Sequence, residues 1–295
     1  MGAALASAKV NLYLHVGAPG SDGYHPLCSL IAFADFGDLL STYEADVLSL
    51  DIRGPLAAGL AANADNLVAR AAAALIAEVR RPLQPIGITL EKRLPVASGL
   101  GGGSSDAGAT LRLLCDEFRF SPGDERLEAL AASLGADGAA CLWARPVTAQ
   151  GRGERLSPAP GLPDLDVVLV NPGVAVSTAE VYRRFDAAGV FGDIEPPPMP
   201  EAFETAAELA GWLGVQRNDL EAAAIGVAPQ VGAVLETLAN EPETLLARVS
   251  GSGGTCFALC ASDIEAESLA ERLEAMAPSW WVKRCRLGGP WPDPD

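Results

Sequence analysis

Apolar and polar side chains alternate over residues 9–16, with Val10, Leu12 and Leu14 on one face and Asn11, Tyr13 and His15 on the other. This is the two-residue period of a strand. The run Pro19-Gly20-Ser21-Asp22-Gly23 is turn chemistry, and it reverses the chain into apolar stretches at 29–34 and 47–52, both predicted as strands. The period then lengthens. Residues 66–79 are alanine-rich with Leu67, Leu75, Ile76 and Val79, a helix capped by Asp65 or Asn66. Residues 86–90 return to strand. Ala107, Leu111, Leu114 and Phe118 then recur at helical spacing, with Ser104, Ser105 and Asp106 as candidate caps, and a further helix over 124–134 stops at Gly135.

Proline and glycine thicken over 157–163, which marks a lobe boundary and divides the chain into 1–157 and 158–295. Beyond it the pattern predicts a strand over 165–170, a helix over 178–186 and a proline-rich loop over 189–200. Helices near 202–212, 219–225 and 230–238, a strand over 256–260, a helix over 264–275 and a closing strand over 281–286 complete the chain. The fold class is α+β, a mixed sheet with its helices on one side.

Between the strand at 86–90 and the helix that follows lies Pro95-Val96-Ala97-Ser98-Gly99-Leu100-Gly101-Gly102-Gly103-Ser104-Ser105. A strand, a glycine loop and a helix in that order make a phosphate cradle. Glycine takes positive φ without steric cost and admits close approach, and the helix N-terminus adds roughly half a positive charge. No lysine lies between Gly99 and Asp106, which excludes a Walker A loop, and the glycine spacing does not fit a dinucleotide fingerprint. A tight surface turn is the alternative reading. A second run, Ser250-Gly251-Ser252-Gly253-Gly254-Thr255, is another amide nest or a tight turn between strands.

Composition narrows the partners. The 295 residues carry a formal charge of −17 with 21 lysines and arginines and no basic run, which argues against nucleic acid. An acidic chain that binds an anionic nucleotide does so locally, with amides and a few placed cations. Six scattered cysteines without a C-x-x-C pair read as buried thiols of a reducing cytoplasm, with Cys256 and Cys260 on one face of a core strand. Two histidines, His15 and His25, exclude a multi-histidine zinc site. No basic leader or spanning apolar run argues for export or a membrane.

Three stretches, Lys9-Val10-Asn11-Leu12, the glycine loop at 95–105 and Ser250 to Phe257, resemble in order the three motifs of the GHMP small-molecule kinases. Asp22-Gly23-Tyr24-His25-Pro26-Leu27 is similar to the D-G-Y-H-x-L segment of the 4-diphosphocytidyl-2-C-methyl-D-erythritol kinase branch. The similarity continues through Asp35-Phe36-Gly37-Asp38, Leu134-Gly135-Ala136-Asp137, Gly151-Arg152-Gly153-Glu154, Asn171-Pro172-Gly173 and Asn218-Asp219-Leu220-Glu221. It departs at Gly138-Ala139-Ala140-Cys141, where the family usually continues with Val-Pro, and at Arg145-Pro146.

The resemblance implies a two-lobed kinase. An N-terminal lobe resembling ribosomal protein S5 domain 2 would bind ATP through the 95–105 loop, and a ferredoxin-like C-terminal lobe would contribute to the substrate site. It implies that Asp137 takes the proton of the acceptor's C2 hydroxyl beside Lys9, that Asn11 holds the erythritol end, and that Tyr24, His25 and Tyr182 receive the cytosine. Gly251, Ser252, Gly253 and Gly254 would approach phosphates, and Mg²⁺ would accompany ATP with Ser105 as a ligand. The partner is a small molecule, the cytidine diphosphate derivative of methylerythritol. Read as bare residues, Asp137 is equally a helix cap, Lys9 a solvated charge and Tyr182 a core aromatic. Homoserine-type or mevalonate-type kinases and a catalytically idle nucleotide sensor are the rival functions.

Overall fold

The computed structural model describes residues 2–294. Two long strands, β1 (Ala3–Val16) and β2 (Leu27–Glu44), pair antiparallel along their whole length. The period at 9–16 is the C-terminal half of β1 and that at 29–34 lies in the N-terminal half of β2; the rest is hidden in small residues such as Ala3 to Ala8 and in the polar stretch Asp35 to Asp38. The ladder is irregular between Ser7 and Lys9 and again between Asn11 and Tyr13. Such irregularities re-aim side chains, and here they bracket the Lys9–Asn11 segment. At the first of them Gly37 crosses so close that a Cβ would lie 2.0 Å from the Ala6 carbonyl oxygen.

β2 is the spine. Its C-terminal half pairs with β4 (Ile86–Glu91), which pairs in parallel with β3 (Ser49–Arg53), and its N-terminal half pairs with β5 (Val147–Gly151) of a hairpin completed by β6 (Arg155–Pro158). The later strands are β7 (Leu165–Asn171), β8 (Thr244–Val249), β9 (Cys256–Cys260) and β10 (Trp281–Gly288). They form an antiparallel run in the order β10-β7-β9-β8. β10 meets β2 at two residue pairs, Leu287 with Ala34 and Gly288 with Phe33, so hydrogen bonding continues through one ten-stranded sheet.

Helices α1 (Leu67–Glu78), α2 (Gly102–Glu117) and α3 (Asp124–Leu134) pack on Leu40, Ile88 and Leu90, and short α4 (Gly138–Trp143) lies behind Ile31 and Phe33. In the second half, α5 (Thr178–Ala188), α7 (Glu221–Val227), α8 (Pro229–Asn240) and α9 (Asp263–Met276) share a core with Val168, Val170, Cys256 and Cys260. Helix α6 (Ala206–Gly214) packs on Leu165, Val167 and Leu169 instead. This corrects the expectation of helices on one side. The unbroken apolar run of β7 has a buried residue on each face, and each face needs its own cover. Among the described residues no helix is long and apolar enough to cross a membrane.

The start of α2 also corrects the sequence. Its N-cap is Gly101, in the left-handed region at φ 63°, and no side chain caps it. Ser104, Ser105 and Asp106 lie inside the first turns, since Ser105 N–H already donates to the Gly101 carbonyl at 2.9 Å. The Gly102, Gly103 and Ser104 amides are therefore left without helical partners. A side-chain cap would fill the space that a phosphate needs.

His15 is buried at the end of β1, and neither ring nitrogen has a hydrogen-bond partner. Burial, reinforced by Arg217, lowers its pKa to about 4. The depressed value means that the unfolded chain takes up the proton first. The contribution to stability is complete above about pH 6.5 and is lost as pH falls through 4, to the extent of roughly 2–3 kcal/mol. Urea midpoints measured between pH 7 and 4 should fall less steeply for His15→Leu than for the wild type; parallel slopes would contradict this.

Candidate active site

The two glycine runs meet backbone to backbone. A Cβ on Gly99 would lie 2.4 Å from the Ser250 carbonyl oxygen and 2.5 Å from that of Gly253, and one on Gly254 would lie 2.8 Å from the Ser98 Cα. Both glycines have positive φ, 78° and 94°. Only glycine allows this approach. Ser250 fastens it by accepting from Asn11 N–H at 3.2 Å and donating to the Gly99 carbonyl at 3.1 Å, so one hydroxyl joins β1, the first run and the second. Leu100 is a core anchor of the loop, fully buried, and its carbonyl accepts from Lys9 N–H at 2.8 Å. Ser98 is buried as well, whereas Val96, Ala97 and Gly103 are exposed.

Lys9 lies along this loop, its side chain packed on Gly101. The buried ammonium donates to Asp137 Oδ1 at 3.2 Å and to Asn11 Oδ1 at 2.9 Å. Asp137 opens α4 but does not cap it, because its carboxylate takes no hydrogen bond from the first turn. The side chain is 38% exposed and is free for other chemistry. Loop 135–137 runs beside the cradle, with Ser104 Oγ 3.8 Å from a Cβ position on Gly135. Gly138, a departure from the family pattern, has a local reason: a Cβ there would stand 1.9 Å from the Ala131 carbonyl oxygen, so α4 seats against α3 only through glycine.

Two expectations shift. Asn11 is buried, with Oδ1 on Lys9 and one Nδ2 hydrogen on Ser29 Oγ at 2.7 Å, so it orients the lysine and keeps a second Nδ2 hydrogen. Ser105 is buried within α2 and its hydroxyl donates to Cys141 Sγ at 3.4 Å, which turns it away from a metal bound at the cradle mouth. Among the described residues no three His, Cys, Asp or Glu side chains converge on a point able to hold a metal.

The sequence reading passed over Lys92 and gave Asp38 no role. Lys92 is buried behind Gly102 and pairs with both Asp38 and, at 3.0 Å, Asp106. Asp38 Oδ1 also accepts from the Arg93 and Leu94 amides, at 2.6 and 2.9 Å. Burial pushes the Asp106 carboxyl up, with Lys92 opposing and Asp38 adding to the shift. Asn218 was seen only as part of a motif. It holds the second run by donating to the Val249 and Gly251 carbonyls, both at 2.8 Å, and Thr178 Oγ1 lies 2.8 Å from Ser252 Oγ.

Tyr24, His25 and Tyr182 differ in exposure, and only the last two meet ring to ring. The His25 ring is buried, its Nδ1 2.8 Å from the Gly17 carbonyl and its Nε2 3.0 Å from Asp186 Oδ1, and its centroid is 5.1 Å from that of Tyr182. Tyr182 is part-buried, and burial, with the Asp137 and Asp186 charges adding, raises its phenol to about 12. Tyr24 is 60% exposed, with the Arg152 guanidinium over its ring at 4.2 Å.

The loop contact can be tested directly. Ser250→Ala leaves the Asn11 N–H and the Gly99 carbonyl without this partner, and should cost about 1–3 kcal/mol in denaturant unfolding. Gly254→Ala should cost more than Ser250→Ala, because its methyl group meets backbone that cannot retreat. The reverse order would show that the hydroxyl, not the close approach, dominates.

The GHMP kinases N terminal domain model matches residues 66–145, and the GHMP kinases C terminal model matches residues 199–279. A 4-diphosphocytidyl-2-C-methyl-D-erythritol kinase of Caulobacter sp. (strain K31) is 57% identical over 98% of this chain and 99% of its own length. One of Parvibaculum lavamentivorans is 46% identical over 96% and 97%. A crystal structure of 4-(cytidine 5'-diphospho)-2C-methyl-D-erythritol kinase superposes with a TM-score of 0.77 at 34% identity, covering 97% of this chain and 99% of that one. The mevalonate kinase of L. major shares the fold alone, at 17% identity and a TM-score of 0.67. Matched along nearly its whole length, the chain belongs to the GHMP kinases, and among them to the 4-diphosphocytidyl-2-C-methyl-D-erythritol kinases.

Proposed function

We propose that the chain transfers the γ-phosphoryl group of ATP to the 2-hydroxyl of 4-diphosphocytidyl-2-C-methyl-D-erythritol, giving the 2-phosphate and ADP, a step of non-mevalonate isoprenoid precursor synthesis. The observation that carries the reading is the 3.2 Å Lys9–Asp137 pair beside a helix N-terminus whose amides no side chain caps. The Gly102, Gly103 and Ser104 amides receive the triphosphate. A hollow of about 520 Å³ against α1, lined by Leu48, Ala69, Arg70, Ala73, Ser133 and Leu134, is of a size to take the adenine.

Phosphoryl transfer asks chiefly for placement and for charge stabilisation. The acceptor oxygen attacks the γ-phosphorus as Asp137 takes its proton, the bond to the bridging oxygen breaks, and ADP leaves. Lys9, fixed by Asn11, holds the carboxylate and neutralises charge on the moving group. Magnesium would enter with the triphosphate, whose oxygens and waters supply most of its ligands, and would neutralise charge on the phosphates; Ser105, which faces Cys141, is not placed to hold it.

The buried His25 ring pins its own peptide, and the His25 main-chain N–H and C=O make no hydrogen bond among the described residues. An N–H and a C=O in that fixed relation suit cytosine, whose N3 accepts and whose exocyclic amine donates. Uracil reverses both. Residues 1–157 supply the ATP cradle and the proton acceptor, and 158–295 supply Tyr182 and the second glycine run. The six free cysteines accord with a cytoplasmic setting.

ADP release with Mg²⁺-ATP should appear with the cytidine acceptor and not with homoserine, mevalonate or the uridine analogue. Turnover with one of the first two would move the acceptor assignment. Asp137→Asn should lower kcat about 10²- to 10⁴-fold while ATP binding, measured by calorimetry, changes little. Activity within a few fold of wild type would remove Asp137 from its role.

A further inference from the structure

Arg152 lies at the tip of the β5–β6 hairpin, and the turn that carries it is internally fixed. Gly151 and Gly153 take positive φ, 72° and 107°, Gly153 N–H donates to the Gln150 carbonyl at 3.1 Å, and the Arg152 N–H donates to Glu154 Oε2 at 2.6 Å. The side chain reaches from this base to the loop at 18–25. There it makes two contacts at once: the guanidinium carbon is 4.2 Å from the Tyr24 ring centroid, and Nη2 pairs with Asp22 Oδ2. Asp22 closes the set by accepting Tyr24 N–H through its other oxygen at 3.1 Å.

The 18–25 loop needs such a hold. Residues 18–24 are exposed, and the loop's internal bonds, Gly20 N–H to the Tyr24 carbonyl and Gly23 N–H to the Gly20 carbonyl, fix its main chain but not the Tyr24 ring. Among the described residues no other cation or aromatic ring stands on that ring. A planar guanidinium suits the task, since it stacks flat on one aromatic face while its edge pairs with a carboxylate.

We propose that Arg152 is a positioning residue for the acceptor's base. It covers one face of Tyr24 and, with Asp22, fixes the ring so that the opposite face is presented ready-made to the pyrimidine. This rests on the reading of the acceptor as a cytidine diphosphate derivative. Holding the ring in advance removes the ordering cost that binding would otherwise incur, so the benefit belongs to acceptor affinity and not to the chemical step.

The test is a double-mutant cycle between Arg152 and Tyr24. It is read by steady-state kinetics and by calorimetric titration with CDP, which closes the cycle where turnover is slow. Arg152→Ala should raise the acceptor KM and the CDP Kd about three- to tenfold, with kcat and the ATP KM within twofold. Arg152→Lys, which keeps the charge but not the plane, should recover less than half of the loss. In a Tyr24→Leu background the same Arg152→Ala change should shift Kd by less than twofold. An unchanged KM and Kd in Arg152→Ala overturns the proposal alone, and so does an undiminished effect in the Tyr24→Leu background, which would mean that Arg152 meets the ligand directly. A wild type that phosphorylates another acceptor and not the cytidine compound overturns the functional reading, and the proposal with it.

Discussion

The site depends on one contact between main chains. The run at 98–101 and the run at 250–254 approach within distances that no Cβ tolerates, and Ser250 ties them to β1. Lys9 rests on the first run and Asn11 on the second, so the stretch of β1 that aims the ammonium at Asp137 is held by how closely two stretches of peptide pack. The strand pairing between the halves is short, two residue pairs between β10 and β2 and a bridge between Leu14 and Asn218. The glycine contact brings the two runs together at the rim of a core that β1 and β2 share with β7, β9, β10 and α6.

The charge of the chain explains why the site takes this form. With 38 acidic and 21 basic residues, a field that attracts polyanions is not available to it. The cations of the site are placed singly: Lys9 against Asp137 beside the uncapped amides and Lys92 beneath the first turn of α2. Lys92 is outnumbered by Asp38 and Asp106, and a buried cluster of this kind is poor stabilisation for its own sake. Its evident product is register, because it locks the start of α2 to β2 and to the β4 exit through the Arg93 and Leu94 amides.

Most of this was legible in the residues where local chemistry decides the outcome. The strand at 86–90, the helices at 66–79 and 124–134, and the glycine loop between strand and helix follow from period and capping alone. What escaped has a common cause. β8 is a part-exposed edge strand interrupted by buried Arg248, α4 is six residues long and opens on glycine, and β5 and β6 are short; none carries a period long enough to register. In the site, residue types are legible in the sequence but side-chain directions are not. Nothing in Ser105 distinguishes a side chain facing the cradle from one facing Cys141, because that depends on helix phase, and the aim of Asn11 at Lys9 depends on the two ladder irregularities around that segment. Lys92 has no signal in the sequence, because its two carboxylates, 54 and 14 residues away along the chain, come together around it only in the fold.

The seat of α4 bears on how such a chain can diverge. Gly138 touches α3 at the Ala131 carbonyl, and Gly108 on α2 touches α4 at the Cys141 carbonyl. A relative with valine at the position of Gly138 must carry α3 farther off, and with it the floor under Asp137. The path between the two arrangements is closed to single substitutions, since the first methyl group has nowhere to go. It opens only when α3 and the 138–141 segment change together, so these two stretches should be inherited as a pair.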